Sequence, residues 1–202
     1  MIDVKKNDDV IVIVAGIIVS LLVSLLVVLG VGIGAAYYQQ TSLSQTHSAK
    51  ITTKEFIKEI APAAQAVEKK YGIPASIIIA QAGTESDWGR AKLAYKYNNL
   101  FGIKASGKTN RVKMYTKETL NGKTVTIKQY FQVYSSWKAS IDAHTKLILN
   151  GTTDNPHRYR GVITKSYTKA SWALQNNGYA TDPNYANELI YAIKKFKLDQ
   201  YD

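Results

Sequence analysis

Apolar residues follow three different rhythms along this chain. Val10 to Gly34 holds no charged residue and consists almost wholly of Val, Ile, Leu, Gly and Ala, interrupted by Ser20 and Ser24. At about 1.5 Å per residue a helix of that length crosses a hydrocarbon core of about 30 Å. It reads as a transmembrane helix and, being longer than the core of a secretory signal, as an uncleaved anchor. Helical spacing follows. Thr53 can cap a helix carrying Phe56, Ile57 and Ile60, and Pro62 then opens a second one through Ala66 and Val67 to Tyr71-Gly72. Pro74 starts the next, in which Ile77 to Ala82 is apolar on every side and therefore core. From Arg111 to Tyr134 the rhythm becomes alternation: Val112, Met114, Val125, Ile127, Phe131 and Val133, with Asn121-Gly122 between them, the pattern of a β-hairpin. Helical spacing returns after the cap Ser136, with Trp137, Ile141, His144 and Ile148 on one face and an end at Asn150-Gly151. A loop with Pro156 leads to a helix holding Trp172 and Leu174. The last helix starts at Asp182-Pro183 and turns Leu189, Ile193 and Phe196 inward.

These elements predict an α+β fold, mainly α: helices on both sides of one small hairpin, a cleft between the lobes, and one transmembrane helix in front. The expected segments are 1–9, short and cytoplasmic; 10–37, a single-pass anchor; 38–51, a polar spacer; and 52–200, the folded domain. The spacer has no apolar periodicity and reaches about 40 Å when extended, so the domain is expected to work close to the membrane. Lys5 and Lys6 are matched by Lys50 and Lys54 across the apolar run, so charge alone does not orient it. A folded C-terminal domain outside the cell is the natural outcome for a signal anchor.

Composition narrows the chemistry. There is no cysteine, which excludes disulfides and thiolate metal sites. His47, His144 and His157 are scattered and lack ligand spacing, so no metal and no cofactor are expected; His144, on the apolar face of its helix, reads as a hydrogen-bonded core histidine. The net charge of +11 calls for a polyanionic partner. No nucleic-acid motif accompanies it, and a domain outside a membrane meets anionic polymers and lipid headgroups first. A solvated lysine-rich surface is the competing reading.

The carboxylate of most interest is Glu85, at the C-terminal end of the apolar helix, where Gln81, Ala82 and Ile78 share its face. A carboxyl against apolar surface loses solvation when ionised, holds its proton longer and suits general-acid work. On spacing alone, a solvated Glu at a helix end is the commoner outcome. The surrounding residues add a second argument. Ala80-Gln-Ala-Gly-Thr-Glu85-Ser-Asp-Trp-Gly89, then Asn98-Asn-Leu-Phe-Gly-Ile-Lys104, resembles glycoside hydrolase family 73, the bacterial endo-β-N-acetylglucosaminidases that include autolysins and the flagellar wall-cutting domain. The likeness continues through Tyr130-Phe-Gln-Val-Tyr-Ser-Ser-Trp137, Asp142-Ala-His144, Tyr159-Arg-Gly161 and Gly178-Tyr-Ala-Thr-Asp-Pro-Asn-Tyr185, covering about Thr53 to Leu198.

The resemblance implies a lysozyme-like domain that cleaves β-1,4 bonds in the glycan strands of peptidoglycan, with anionic wall polymers as further contacts. It places the family's catalytic Glu on Glu85, its Gly-Tyr-Ala-Thr-Asp-Pro tyrosine on Tyr179, and a second carboxylate on Glu118, for which a solvated charge beside Lys117 and Lys123 is the competing reading. Glu118 would activate water in an inverting reaction; alternatively the substrate's acetamido group assists while Tyr179 stabilises charge. Sugar-stacking chemistry adds Trp88, Tyr97, Phe101, Tyr130 and Tyr185, with core packing as the rival role for each, and Asn99, in the same motif as Phe101, is expected among the substrate-binding residues. Gly83 stands where the family carries a larger residue and is expected to loosen packing beneath Glu85. A lytic transglycosylase and a non-catalytic wall-binding module are the alternatives.

Overall fold

The structure is a computed structural model that describes residues 47–120 and 123–202; the side chains of 117–124 are outside it. The apolar run, most of the spacer and the Asn121-Gly122 turn therefore lie outside the described residues. Among the described residues no helix is long and apolar enough to cross a membrane.

The first helix, α1 (Thr53–Tyr71), is unbroken where the sequence pattern suggested two. Pro62 lies inside it on the exposed side and removes one backbone hydrogen bond. Phe56, Ile57, Ile60, Ala61, Ala64 and Val67 nevertheless form one buried stripe across the proline, and packing of that stripe holds the helix together. Its cap is Thr52, not Thr53: the Thr52 hydroxyl accepts from Glu55 N–H while the Glu55 carboxylate takes Thr52 N–H, a reciprocal capping box. Gly72 closes it in the left-handed conformation.

Helix α2 (Ala75–Ser86) runs through the centre, touching α1 and the later helices, with Ile77, Ile78 and Ile79 essentially inaccessible to water. Each such side chain contributes about 1.5–3 kcal/mol through burial. Pro74 offers no side-chain cap. Two carboxylates from outside the helix take that role: Asp202, 126 positions on, accepts from Ser76 N–H at 2.7 Å and from the Ser76 hydroxyl at 2.8 Å, and Glu68, at the end of α1, accepts from Ala75 N–H at 3.2 Å.

A short helix, α3 (Lys92–Tyr97), which the pattern did not predict, leads to β1 (Arg111–Leu120) and β2 (Lys123–Gln132), a two-stranded antiparallel sheet pairing Arg111 with Gln132 and Leu120 with Lys123. Three further helices complete the body: α4 (Trp137–Asn150), capped by the Ser136 hydroxyl as expected, α5 (Tyr167–Asn176) and α6 (Tyr185–Phe196). Trp172, placed in α5 as anticipated, is exposed. Short 3-10 turns occupy Arg160–Val162 and Leu198–Tyr201.

The hairpin is fastened to the helical body by the segment after α3. Gln132 N–H donates to Ile103 C=O and Ala105 N–H to Tyr130 C=O, both at 2.9 Å. The described end of the expected spacer also packs on the body: His47 stacks on Trp137 at 3.6 Å, and Ile51 packs against the core.

Candidate active site

Glu85 occupies the last turn of α2, and the chain leaves the helix abruptly just after it. Asp87, Trp88 and Gly89 take three successive positive φ angles, 51°, 52° and 82°. The left-handed region costs a non-glycine residue about 1–2 kcal/mol, and local bonds hold the turn there. Ser86 Oγ accepts from Gly89 N–H at 2.8 Å, Trp88 N–H reaches Gly83 C=O at 2.8 Å, and Arg90 pairs with Asp87. At Gly89 a Cβ would come within 2.6 Å of the Phe56 ring, so only glycine fits.

This turn explains Gly83. A Cβ there would sit 2.7 Å from the Trp88 ring, which lies across the helix at that point. Packing beneath Glu85 is therefore tight, not loosened as expected. Trp88 also meets Phe56 at 6.0 Å and Phe196 at 4.5 Å edge-on, and it borders a hollow between α2 and α6 instead of the cleft that holds Glu85.

That cleft has a volume of about 560 Å³ and is open to solvent. Phe101, Ile103, Phe131 and Leu147 give it apolar walls, Thr116 reaches it from β1, and Tyr159, Tyr179, Ala180 and Thr181 close the side opposite the hairpin. A larger hollow, about 680 Å³ between α1 and the C-terminal 3-10 turn, lies away from Glu85. We place the candidate site at the smaller one, because it holds the carboxyl with shifted acidity.

The residue Glu85 is exposed along one side, yet protein crowds its carboxyl. Desolvation pushes its pKa above the ordinary carboxylate value; a hydrogen bond from Tyr185 opposes the shift, and the charge of Glu188 adds to it. Tyr185 O–H donates to Glu85 Oε1 at 3.0 Å, and Gln81 Nε2 donates to Tyr185 Oη at 3.1 Å. Gln81, Tyr185 and Glu85 thus form one directed chain. Tyr179 stacks on Tyr185 at 5.7 Å and meets Tyr159 edge-on at 5.8 Å. Burial, then the nearby Glu85 charge, raises the Tyr179 phenol well above its usual range, so it stays a neutral donor.

The residues singled out from sequence thus separate. Glu85, Phe101 and Tyr179 line the cleft. Tyr185 is buried beneath it and touches Glu85. Asn99 is buried as a clip: its side chain donates to Ile103 C=O and Gln132 C=O and accepts from Ile103 N–H. Tyr130 lies on the outer face of the hairpin under the Arg111 guanidinium, and Tyr97 ends α3. Glu118 takes its place in β1 opposite Val125, two positions from Thr116, with its side chain outside the described part.

Sequence reasoning did not single out Gln81 as the residue that braces Tyr185, nor Thr116 as part of the cleft. The alternation of β1 marked Thr116 only through its neighbours Met114 and Val112. His144 is core, as expected, but neither ring nitrogen has a hydrogen-bond partner among the described residues. It stacks flat on Phe101 at 3.9 Å and meets Tyr179 edge-on at 5.7 Å. Burial pushes its pKa down to about 3, so it stands behind the cleft as a neutral spacer. Among the described residues there is no group of three or more His, Cys, Asp or Glu able to hold a metal.

An apolar-walled groove with one crowded carboxyl and neutral phenols beside it suits protonation of a leaving oxygen. The known proteins that this chain matches agree with that chemistry. The sequence model of the family described as mannosyl-glycoprotein endo-beta-N-acetylglucosaminidase matches residues 61–198. Exo-glucosaminidase LytG of Bacillus subtilis is 41% identical over 175 residues, covering 83% of this chain and 62% of that protein. Peptidoglycan hydrolase FlgJ of Escherichia coli is 37% identical over 152 residues, covering 72% and 47% respectively. The chain thus spans roughly half to three fifths of the length of these curated relatives. Among solved structures, the catalytic domain of the autolysin Auto from Listeria monocytogenes superposes with a TM-score of 0.69 at 34% identity, over 84% of this chain and 96% of that one.

Proposed function

Because this chain belongs to the mannosyl-glycoprotein endo-beta-N-acetylglucosaminidase family, we propose that it is a peptidoglycan hydrolase that cuts β-1,4 glycosidic bonds on the N-acetylglucosamine side, with Glu85 as the acid. The observation that carries this reading is the crowded, Tyr185-braced Glu85 carboxyl facing an open apolar cleft. Tyr185 occupies Oε1, which leaves Oε2 to carry the proton that the glycosidic oxygen receives. Phe101 offers an apolar surface to a pyranose ring, and Tyr179 supplies a neutral phenol beside the developing positive charge.

The sugar is first attacked from the face opposite Glu85. In one version the attacking group is a water activated by Glu118, and the configuration inverts. In the other, the substrate's acetamido group assists and Tyr179 steadies the intermediate charge. Proton NMR during cleavage separates them: an initial β-anomer excludes inversion.

In this reading the apolar run 10–34 anchors the domain outside a bacterial membrane, and residues 38–51 lift it toward the wall. The mass of the mature N-terminus tests whether that anchor is retained. The enzymatic test is clearance of a wall suspension with mass analysis of the fragments. Glu85→Gln is expected to lower the rate by about 10²–10⁴-fold. Undiminished clearance would remove Glu85 from the role. Anhydro-muramic ends would identify a lytic transglycosylase, fragments released only from chain ends an exo-acting enzyme, and wall binding without clearance a binding module.

A further inference from the structure

The hairpin has two unlike faces. One carries Thr116 and Phe131 to the cleft. The other presents Arg111, Lys113, Tyr115, Thr126, Lys128 and Tyr130, all exposed. The register sets Lys113 opposite Tyr130 and Tyr115 opposite Lys128, so each exposed ring faces a cation across the strands.

Elsewhere among the described residues three cations pair with carboxylates, Arg90 with Asp87, Lys138 with Asp142 and Arg158 with Asp154, and Lys70, Lys96 and Lys195 each lie over a ring of their own helix. Among the described residues, Arg111, Lys113 and Lys128 on the outer face of the hairpin have no carboxylate partner. They lie over rings instead. Arg111 stands 3.9 Å and Lys113 5.2 Å from the Tyr130 centroid, and Lys128 stands 4.9 Å from that of Tyr115. A ring holds a cation in place without neutralising it, so the charge is fixed and still open to a partner.

We infer that this outer face docks a linear phosphodiester polyanion of the cell wall, an inference that rests on the wall-hydrolase reading. Three features select that chemistry. The Arg111 guanidinium, held over the Tyr130 ring and donating from Nη1 to Gly107 C=O at 3.4 Å, has further N–H groups that a phosphate oxygen pair fits. Alternate strand positions are about 7 Å apart, close to the reach of a three-carbon link between successive phosphates, so one phosphodiester chain can meet several of these cations at once. Both exposed tyrosines already carry a cation over one face, so they are poor platforms for stacked bases. The surface points away from the cleft, so a bound polymer leaves the glycan path open and holds the enzyme beside it.

The test uses the full chain carrying Glu85→Gln, in neutral detergent, so that binding is read independently of turnover. Poly(glycerol phosphate) is the probe, with single-stranded oligothymidylate and phosphatidylglycerol vesicles as rivals. The triple variant Arg111→Gln, Lys113→Gln, Lys128→Gln is expected to weaken polymer binding by about tenfold or more and to flatten its salt dependence by about two to three ions. Its melting temperature should match the parent's. Lys54→Gln, Lys58→Gln, Lys69→Gln, an equal charge change on α1, should leave binding within about threefold of the parent. Equal losses in the two triples would overturn the inference in favour of diffuse charge. Tighter binding of the oligonucleotide or the vesicles would overturn the assigned occupant. Clearance by the Glu85-containing enzyme is scored separately, so a failure of the hydrolase reading stays distinguishable.

Discussion

Glu85 is pulled in two directions by its neighbours: crowding favours its protonated form, and the Tyr185 hydroxyl, by donating to Oε1, favours the ionised one. Removing the donor therefore raises the Glu85 pKa further. Tyr185→Phe is expected to move the alkaline limb of the kcat/KM profile to higher pH, because the acid keeps its proton longer. It also leaves Gln81 Nε2 without its acceptor, at a cost of about 1–3 kcal/mol in denaturant unfolding. His144 makes an opposite case. Its pKa is about 3 in the fold against 6.5 for an ordinary histidine, so between those values the unfolded chain binds the extra proton. Stability is full above pH 6.5 and drains away as pH falls toward 3. His144→Leu is expected to flatten that decline by about 1.4 kcal/mol per pH unit in urea titrations. An unchanged slope would show that His144 does not titrate on unfolding. The role proposed for Glu85 was legible only through the motif around it; its link to Tyr185 joins residues 100 positions apart, and no local pattern carries such a pair.

Among the elements, legibility followed locality. Ser136, Asn150-Gly151 and Tyr71-Gly72 marked helix ends correctly because capping depends on a few adjacent residues. The break expected at Pro62 failed because α1 rests on a stripe of contacts with other helices, which outweighs one lost hydrogen bond. Helix α3 escaped notice because its six residues bury only Ala94 and no side chain caps it. Gly83 shows how tertiary context reverses a local rule. Alanine improves helix propensity by about 1 kcal/mol, yet its methyl would meet the Trp88 ring at 2.7 Å. Gly83→Ala is expected to lose about 1–3 kcal/mol by overpacking in chemical denaturation, and Gly83→Ala with Trp88→Leu to recover part of it. A stabilised single variant would mean that the ring moves aside freely.

At the scale of the molecule, the hairpin and the helical body form the two walls of the cleft, and Asn99 helps to join them: one of its three hydrogen bonds reaches Gln132 C=O in β2, and the other two fix Ile103 in the segment that fastens the hairpin. Asn99→Ala is expected to cost about 2–4 kcal/mol and to speed amide exchange in β2 more than in α2, a difference that mass spectrometry resolves. Uniform exchange across both would make Asn99 an ordinary core residue. The mixed helical and hairpin architecture was visible in the sequence because the change from helical spacing to alternation is abrupt at Arg111. How the two parts meet was not, since buried Asn99 reads like any polar loop residue. One connection also bears on how the protein is made. The start of α2 is closed by Asp202, 126 positions further along the chain. During synthesis the central helix thus emerges long before the carboxylate that completes its first turn, so the helix that carries Glu85 stays unfinished until residue 202 has been added. A partly made chain therefore has every residue of the Glu85 helix and lacks the clasp that sets its first turn, so the proposed acid is held in place only after residue 202 has been added.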